Sequence, residues 1–191
     1  ILRSFFYEPQ EMRWFQEALA RLPDDIIVMS KDTTHEFHPF YPWDPLHGQT
    51  GRKRQIIETD LGVEKAWSRE GAYAQTGYLR RVVQRARDTG AAGLVGRCRL
   101  LWERPFANTH EVNLYSFARF LREPEATVER VLLDWARDRY LVAAAPHLAA
   151  AFARTEFIHH HGRWHLENWF TKSIGDQWDD YPYYFGRPLQ R

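Results

Sequence analysis

The first hundred residues alternate short apolar runs with longer stretches of helical spacing, and few folds accept that alternation. Ile1 to Tyr7 is an apolar run that ends at Glu8-Pro9. Met12, Phe15, Leu19 and Leu22 then recur at helical intervals, with Trp14 and Ala18 beside them, until Pro23 closes the segment. Further runs follow at Ile26 to Met29, Gln55 to Leu61 and Gly93 to Leu101. Between the last two, Tyr78, Val82, Val83 and Ala86 share one face of a helix that stops at Gly90. Antiparallel neighbours need only a tight turn between them, whereas parallel neighbours need a crossover of a dozen or more residues. Strands spaced by helices therefore predict βαβ units and a parallel sheet, an α/β fold.

From Glu111 onward the pattern is helical almost to the end. One helix is predicted from Glu111 to Leu121, and a second is begun by Pro124 with Val128, Val131, Leu132 and Trp135 as its stripe. A third spans Ala143 to about His160, and the tail after Trp169 is aromatic and irregular. The boundary expected from this change is 1–110 for the α/β part and 111–191 for the helical part. Four strands in 191 residues fall short of a closed (β/α)8 barrel, which takes about 250 residues. Two architectures remain: a small open sheet, or the second half of a (β/α)8 TIM-type barrel followed by a C-terminal helical region. Length favours the first and loop chemistry the second. The chain also opens in what reads as strand interior, with no initiator Met and no signal-like segment, so residues upstream of Ile1 are expected.

Composition removes several function classes. The net charge is +1 with no long basic block, which argues against a nucleic-acid partner. No apolar run approaches the roughly 20 residues of a membrane span. The single Cys98 cannot form an internal disulfide, and its setting in an apolar run predicts a core position. The glycines at 90, 93 and 96 match no nucleotide fingerprint, and no cofactor is called for. Aromatic residues make up 15% of the chain, supplying large cores or platforms for sugar rings.

Catalytic groups in α/β folds gather at the C-terminal ends of the strands. Arg3, Lys31, Glu36 and Glu58 stand at or near such ends. Two carboxylates can serve a water molecule at a glycosidic bond, and an Arg with a Lys can hold an acidic sugar. The plainer reading is a structural ion pair. Lys31 to Arg54 is a long loop with Pro39, Pro42, Pro45 and Gly48, and long ordered loops usually carry function. Within it Trp43, Tyr41 and Phe40 either stack on a sugar or pack the loop down, and His38 stands near enough in sequence to line the site. His159, His160, His161 and His165 cluster, but Gly162 interrupts their helical spacing and no further ligand completes a zinc motif.

Several motifs recur in order and at matching spacing. Arg3-Ser4-Phe5-Phe6-Tyr7 resembles the Arg-Ala-Phe-x-Tyr strand of the family 67 α-glucuronidases, which remove glucuronic acid side groups from xylan. Ile26-Ile27-Val28-Met29-Ser30-Lys31 is similar to that family's Val-x-x-Lys strand. Glu36-Phe37-His38-Pro39 with Pro42-Trp43-Asp44-Pro45-Leu46-His47-Gly48 resembles its Asp-Phe-x-Pro-x-x-Pro-x-x-Pro-Leu-x-Gly loop. Glu58 to Glu64 resembles Glu-x-Gln-x-x-x-Glu, and Asn113-Leu114-Tyr115-Ser116-Phe117-Ala118-Arg119 resembles Asn-Leu-Tyr-x-Phe-x-Arg. The likeness covers roughly residues 1–140. It implies an inverting glycoside hydrolase on a half-barrel, needing no cofactor and taking an acidic oligosaccharide. It further implies Glu36 and Glu58 on the water side, Arg3 and Lys31 on the substrate carboxylate, a general acid upstream of Ile1, and a homodimer through the C-terminal helices. Three departures stand against it. Glu36 replaces the family's Asp, an extra methylene at a position where geometry is critical. Ala107-Asn108-Thr109-His110 stands near the family's Trp-Thr-Gly-His, and no general acid is present. A barrel relative that binds acidic glycans without cleaving them, and a uronic acid lyase on the same scaffold, are the alternatives.

Overall fold

Four strands run parallel and lie side by side in their order along the chain. They are β1 (Leu2–Arg3), β2 (Val28–Lys31), β3 (Gln55–Asp60) and β4 (Gly93–Arg97), with helix α1 (Pro9–Leu19) between the first two and α2 (Thr76–Asp88) between the last two. Three helices follow, α3 (Glu111–Arg122), α4 (Val128–Arg139) and α5 (Ala145–Arg163), and then a two-stranded antiparallel pair, β5 (Trp164–His165) with β6 (Asn168–Trp169). This computed structural model describes residues 1–4, 9–34, 37, 41–61, 72–98, 111–165 and 168–169. The α/β class and the parallel sheet agree with the sequence pattern.

Register sorts the strand side chains into two faces. Lys31 pairs with Glu58 and Glu58 with Val95; one residue earlier, Ser30 pairs with Ile57 and Ile57 with Leu94. Successive side chains of a strand point to opposite faces. One face therefore carries Val28, Gln55, Ile57, Leu94 and Gly96. The other carries Arg3, Lys31, Glu58, Asp60, Val95 and Arg97.

Helices cover the first face. Phe15 and Leu19 of α1 pack on Leu2, Val28 and Leu46. Leu79 and Val83 of α2 join Leu61, Leu94, Phe117, Phe120 and Val131 in a second cluster. Fully burying such a side chain contributes about 1.5–3 kcal/mol. Gly96 lets α3 approach closely, since a Cβ there would run into the Leu61 side chain and stand 3.0 Å from Phe117. A third cluster holds α3, α4 and α5 together around Val112, Leu132, Trp135, Ala145 and Phe152.

The helical part is tied back to α2 by polar contacts. Buried Asn113 donates to the carbonyls of Leu61 (3.2 Å) and Tyr73 (3.1 Å) and accepts from the Gln75 N–H (2.9 Å). Gln75, at the N-cap of α2, gives that helix no side-chain cap. Glu156 of α5 accepts the Gly77 N–H at 3.0 Å instead, and any side chain at position 77 would crowd its carboxylate.

Several boundaries differ from the sequence pattern. β2 starts at Val28 and includes Lys31, because the residues after Pro23 form a turn, with Ile26 N–H donating to the Pro23 carbonyl, and the ladder runs on to the Asp32 N–H on Glu58. Pro124 lies in a turn rather than opening α4; Thr127 is the N-cap, accepting the Arg130 N–H at 3.2 Å, as a hydroxyl there satisfies a donor that Pro cannot. Gly162 does not interrupt α5, which runs past the expected end near His160 to Arg163, and two short strands follow it. Cys98 is exposed rather than in the core, since β4 ends at Arg97. The expected strand over residues 5–7, the end of the fourth run and the tail after Trp169 lie outside the described residues. Among the described residues no helix is long and apolar enough to cross a membrane.

Candidate functional site

The C-terminal ends of β1 to β4 bring charged side chains together on the face that the described helices leave uncovered. Arg3 and Glu58 are one ion pair: Arg3 Nη2 lies 2.6 Å and Nε 2.8 Å from the same Glu58 oxygen, Oε2. Both donors of one guanidinium edge thus converge on one carboxylate oxygen. The Glu58 side chain is 10% exposed and that of Arg3 37%, so the pair stands at the border of solvent. Lys31 sits beside Glu58 in register and is only 2% exposed. Its ammonium lies 5.4 Å from the centre of the Phe37 ring, and the Arg97 guanidinium lies 5.0 Å from the same ring. These are cation–π distances.

The loop after β2 is fastened on the helix side of the sheet by buried polar groups. Asp44 N–H donates to the Asp32 carbonyl, and the Asp44 carboxylate accepts the Leu46 N–H at 2.8 Å, a local turn that aims the following residues. Burial pushes the Asp44 carboxyl up to about 6, with the Leu46 N–H and the Lys31 charge pulling part of the way back. His47 Nε2 lies 2.8 Å from the Lys31 carbonyl. A carbonyl only accepts, so Nε2 carries the proton and Nδ1 receives Arg85 Nε at 3.4 Å. Burial pushes the imidazole down to about 4, which keeps it neutral near pH 7.

Asp32, next to Lys31, points the other way, toward the helices. It is fully buried and accepts from Thr59 Oγ1 (2.5 Å) and Tyr78 OH (2.7 Å). Burial raises its carboxyl to about 6, opposed by those hydroxyls. Burial and the Asp32 charge in turn hold the Tyr78 phenol well above its ordinary range. Trp43 stacks on Tyr78, with ring centres 5.9 Å apart and planes 13° from parallel, and its backbone bridges to Thr33.

Of the residues singled out from the sequence, Arg3, Lys31 and Glu58 share one face and adjoining register positions. Trp43 has one face of its ring on Tyr78, the loop-packing arrangement. Glu36 and His38 lie outside the described residues. Sequence reasoning missed Asp32, Tyr78, His47 and Arg97. For Asp32 a signal existed: beside a strand Lys aimed at one face, an Asp must face the other and needs partners there. Among the described residues no group of three or more His, Cys, Asp or Glu is arranged to hold a metal ion. The side chains of His159, His160, His161 and His165 are not among those described. No model of a known protein family matches this chain, and no curated protein matches it either.

Proposed function

We propose that residues 1–110 form the second half of a (β/α)8 barrel, followed by the helical region 111–191, and that the site hydrolyses the bond to a glucuronic acid or another uronic acid on an oligosaccharide. The observation that carries this reading is Glu58, paired with Arg3 and flanked by Lys31 at the strands' C-terminal ends, on the face opposite the described helices. Strand order supports the architecture. Parallel strands in unbroken sequential order, with the described helices on one side, suit a barrel wall, whereas a doubly wound sheet reverses its order partway and carries helices on both faces.

In this reading Glu58 and Glu36 orient and deprotonate a water that attacks the anomeric carbon from the side opposite the leaving group, inverting its configuration. A separate general acid protonates the leaving oxygen. Arg3 holds the Glu58 carboxylate in place, and the cations of this face, Lys31 among them, attract the substrate's carboxylate. The substrate is the only partner required; nucleic acid and a resident cofactor have no part in it.

The test is release of free uronic acid from glucuronic-acid-bearing xylo-oligosaccharides by the longest chain the gene encodes, beside its Glu58→Gln variant. Loss of a general base costs about 10²- to 10⁴-fold in rate, so turnover should fall by that order. Undiminished turnover in the variant would sink the role of Glu58. A second reading, binding without cleavage, is favoured by Glu36 standing where the resembled family has Asp. It predicts bound oligosaccharide and no product. An unsaturated product absorbing in the ultraviolet would instead identify an eliminating enzyme.

A further inference from the structure

The sequence resemblance puts Arg3 on the substrate's carboxylate, but the structure gives its guanidinium another task. An Arg and a carboxylate often meet fork to fork, with one N–H on each oxygen. Here both donors fall on one oxygen: Arg3 Nη2 lies 2.6 Å and Nε 2.8 Å from Glu58 Oε2. A carboxylate oxygen has two lone-pair sites, so those of Oε2 are filled. Oε1 accepts no hydrogen bond among the described residues. Nor is it sealed from water. Among the described residues the fully buried side-chain atoms without a partner are Thr34 Oγ1 and Trp135 Nε1, and Glu58 Oε1 is not one of them. Val95, the register partner of Glu58 on β4, is 38% exposed. The terminal torsion of a glutamate is broad and two-fold, which leaves its oxygens interchangeable; the Arg3 pairing makes these two unlike.

We propose that Arg3 is a positioning residue: it fixes Oε2, leaves Oε1 as the oxygen of Glu58 that takes the proton of the attacking water, and does not bind the substrate's carboxylate. The inference rests on the hydrolase reading above and replaces the role that the resemblance gives to Arg3. In the step, the water oxygen bonds to the anomeric carbon and its proton passes to Oε1. The glycosidic bond breaks with its electron pair on the leaving oxygen, which the separate general acid protonates. A base must come within hydrogen-bond reach of the proton that it takes, and of the two oxygens only Oε1 has a lone pair to present. Turning Arg3 toward a substrate would strip a side chain that is only 10% exposed of its cation, which is costly.

The experiment is steady-state kinetics of the longest chain the gene encodes on a glucuronic-acid-bearing xylo-oligosaccharide, beside Arg3→Ala and Arg3→Lys. Arg3→Ala is also assayed with added methylguanidinium, for which the Arg3 side chain, 37% exposed, leaves a slot reaching solvent. A misplaced reacting group costs on the order of 10²-fold in rate, so kcat of Arg3→Ala should fall by that order with KM unchanged. Methylguanidinium should restore part of the lost kcat, and Arg3→Lys, with a single donor group, should lose less. A charged contact to the substrate would be worth roughly tenfold to a hundredfold in affinity. A rise in KM of that size with kcat kept therefore overturns the inference and leaves the hydrolase reading standing. A loss of kcat in folded Arg3→Ala that methylguanidinium does not touch marks a merely structural role and overturns it as well. Should Arg3→Ala fail to fold, Arg3→Lys decides by the same division between kcat and KM. A parent with no turnover sinks both the reading and the inference.

Discussion

The two faces of the sheet are built from alternate residues of the same strands and obey opposite rules. Ile57 and Glu58 are neighbours in β3, each bracketed by register partners, Ser30 and Leu94 for one and Lys31 and Val95 for the other. On the helix side Ile57 is fully buried, and Gly96 is confined to hydrogen by Leu61 and Phe117. On the other side an ion pair and an exposed valine occupy the equivalent rows. A sheet that spent both faces on packing would be better covered with apolar residues throughout. Charges in register on a single face cost desolvation, and such costs concentrate at sites that use them.

The sharpest way to break this contrast is Ile57→Ala. Removing a fully buried side chain should cost about 2–5 kcal/mol in urea unfolding; a loss under about 1 kcal/mol would mean that this face is not a packed core. Next comes pH. His47 binds its proton more weakly when folded (about 4) than its ordinary 6.5, so as pH falls the unfolded chain protonates first and the fold loses stability between those values. Asp32 and Asp44, raised from 3.8 to about 6, protonate first in the folded chain, so the fold gains as pH falls through that window. Each shift is worth on the order of 3 kcal/mol, so the histidine loss offsets only one of the two carboxyl gains. His47→Gln keeps a donor for the Lys31 carbonyl but cannot titrate. It should therefore grow more stable from pH 6.5 to 4 in unfolding series. Asp32→Asn should lose stability over the same range relative to the parent. A variant with the parent's pH profile would remove the corresponding group from this balance.

Gly96→Ala should cost about 1–3 kcal/mol, the range for overpacking, because the added Cβ meets Leu61 and Phe117. The smallest effect belongs to the other face. Val95→Ala should stay within about 0.5 kcal/mol, read by the same unfolding curves. A larger loss would show that this face is covered after all.

Face alternation was readable from the sequence because it needs only a period of two, and the helical stripes because they need only 3.6. Hence the α/β class, α1 to α3 and the grouping of Arg3, Lys31 and Glu58 near the strand ends were all legible. What the periods cannot supply is register between strands. That Arg3 falls on Glu58 depends on β1 and β3 both pairing with β2 at particular residues, 55 positions apart in sequence. Nor can the periods supply the packing of α2 on the sheet that brings Tyr78 to Asp32 across 46 positions. Arg97 was hidden because it ends an otherwise apolar strand and reads as a terminus rather than a side chain aimed at a site. The start of α4 was misplaced because Pro124 suggests a first turn, whereas Thr127 caps it three residues later.

The Glu156 carboxylate on the first turn of α2 couples regions that look independent along the chain. A helix needs its opening N–H groups satisfied to nucleate, and α2 takes one of its partners from a residue 79 positions later. The first turn includes Tyr78, on which Trp43 and Asp32 both depend. The Glu156 contact thus joins α5 to the same helical turn that holds Trp43 and Asp32. Loss of the Glu156 carboxylate would therefore leave a donor unsatisfied on the very turn that anchors the loop.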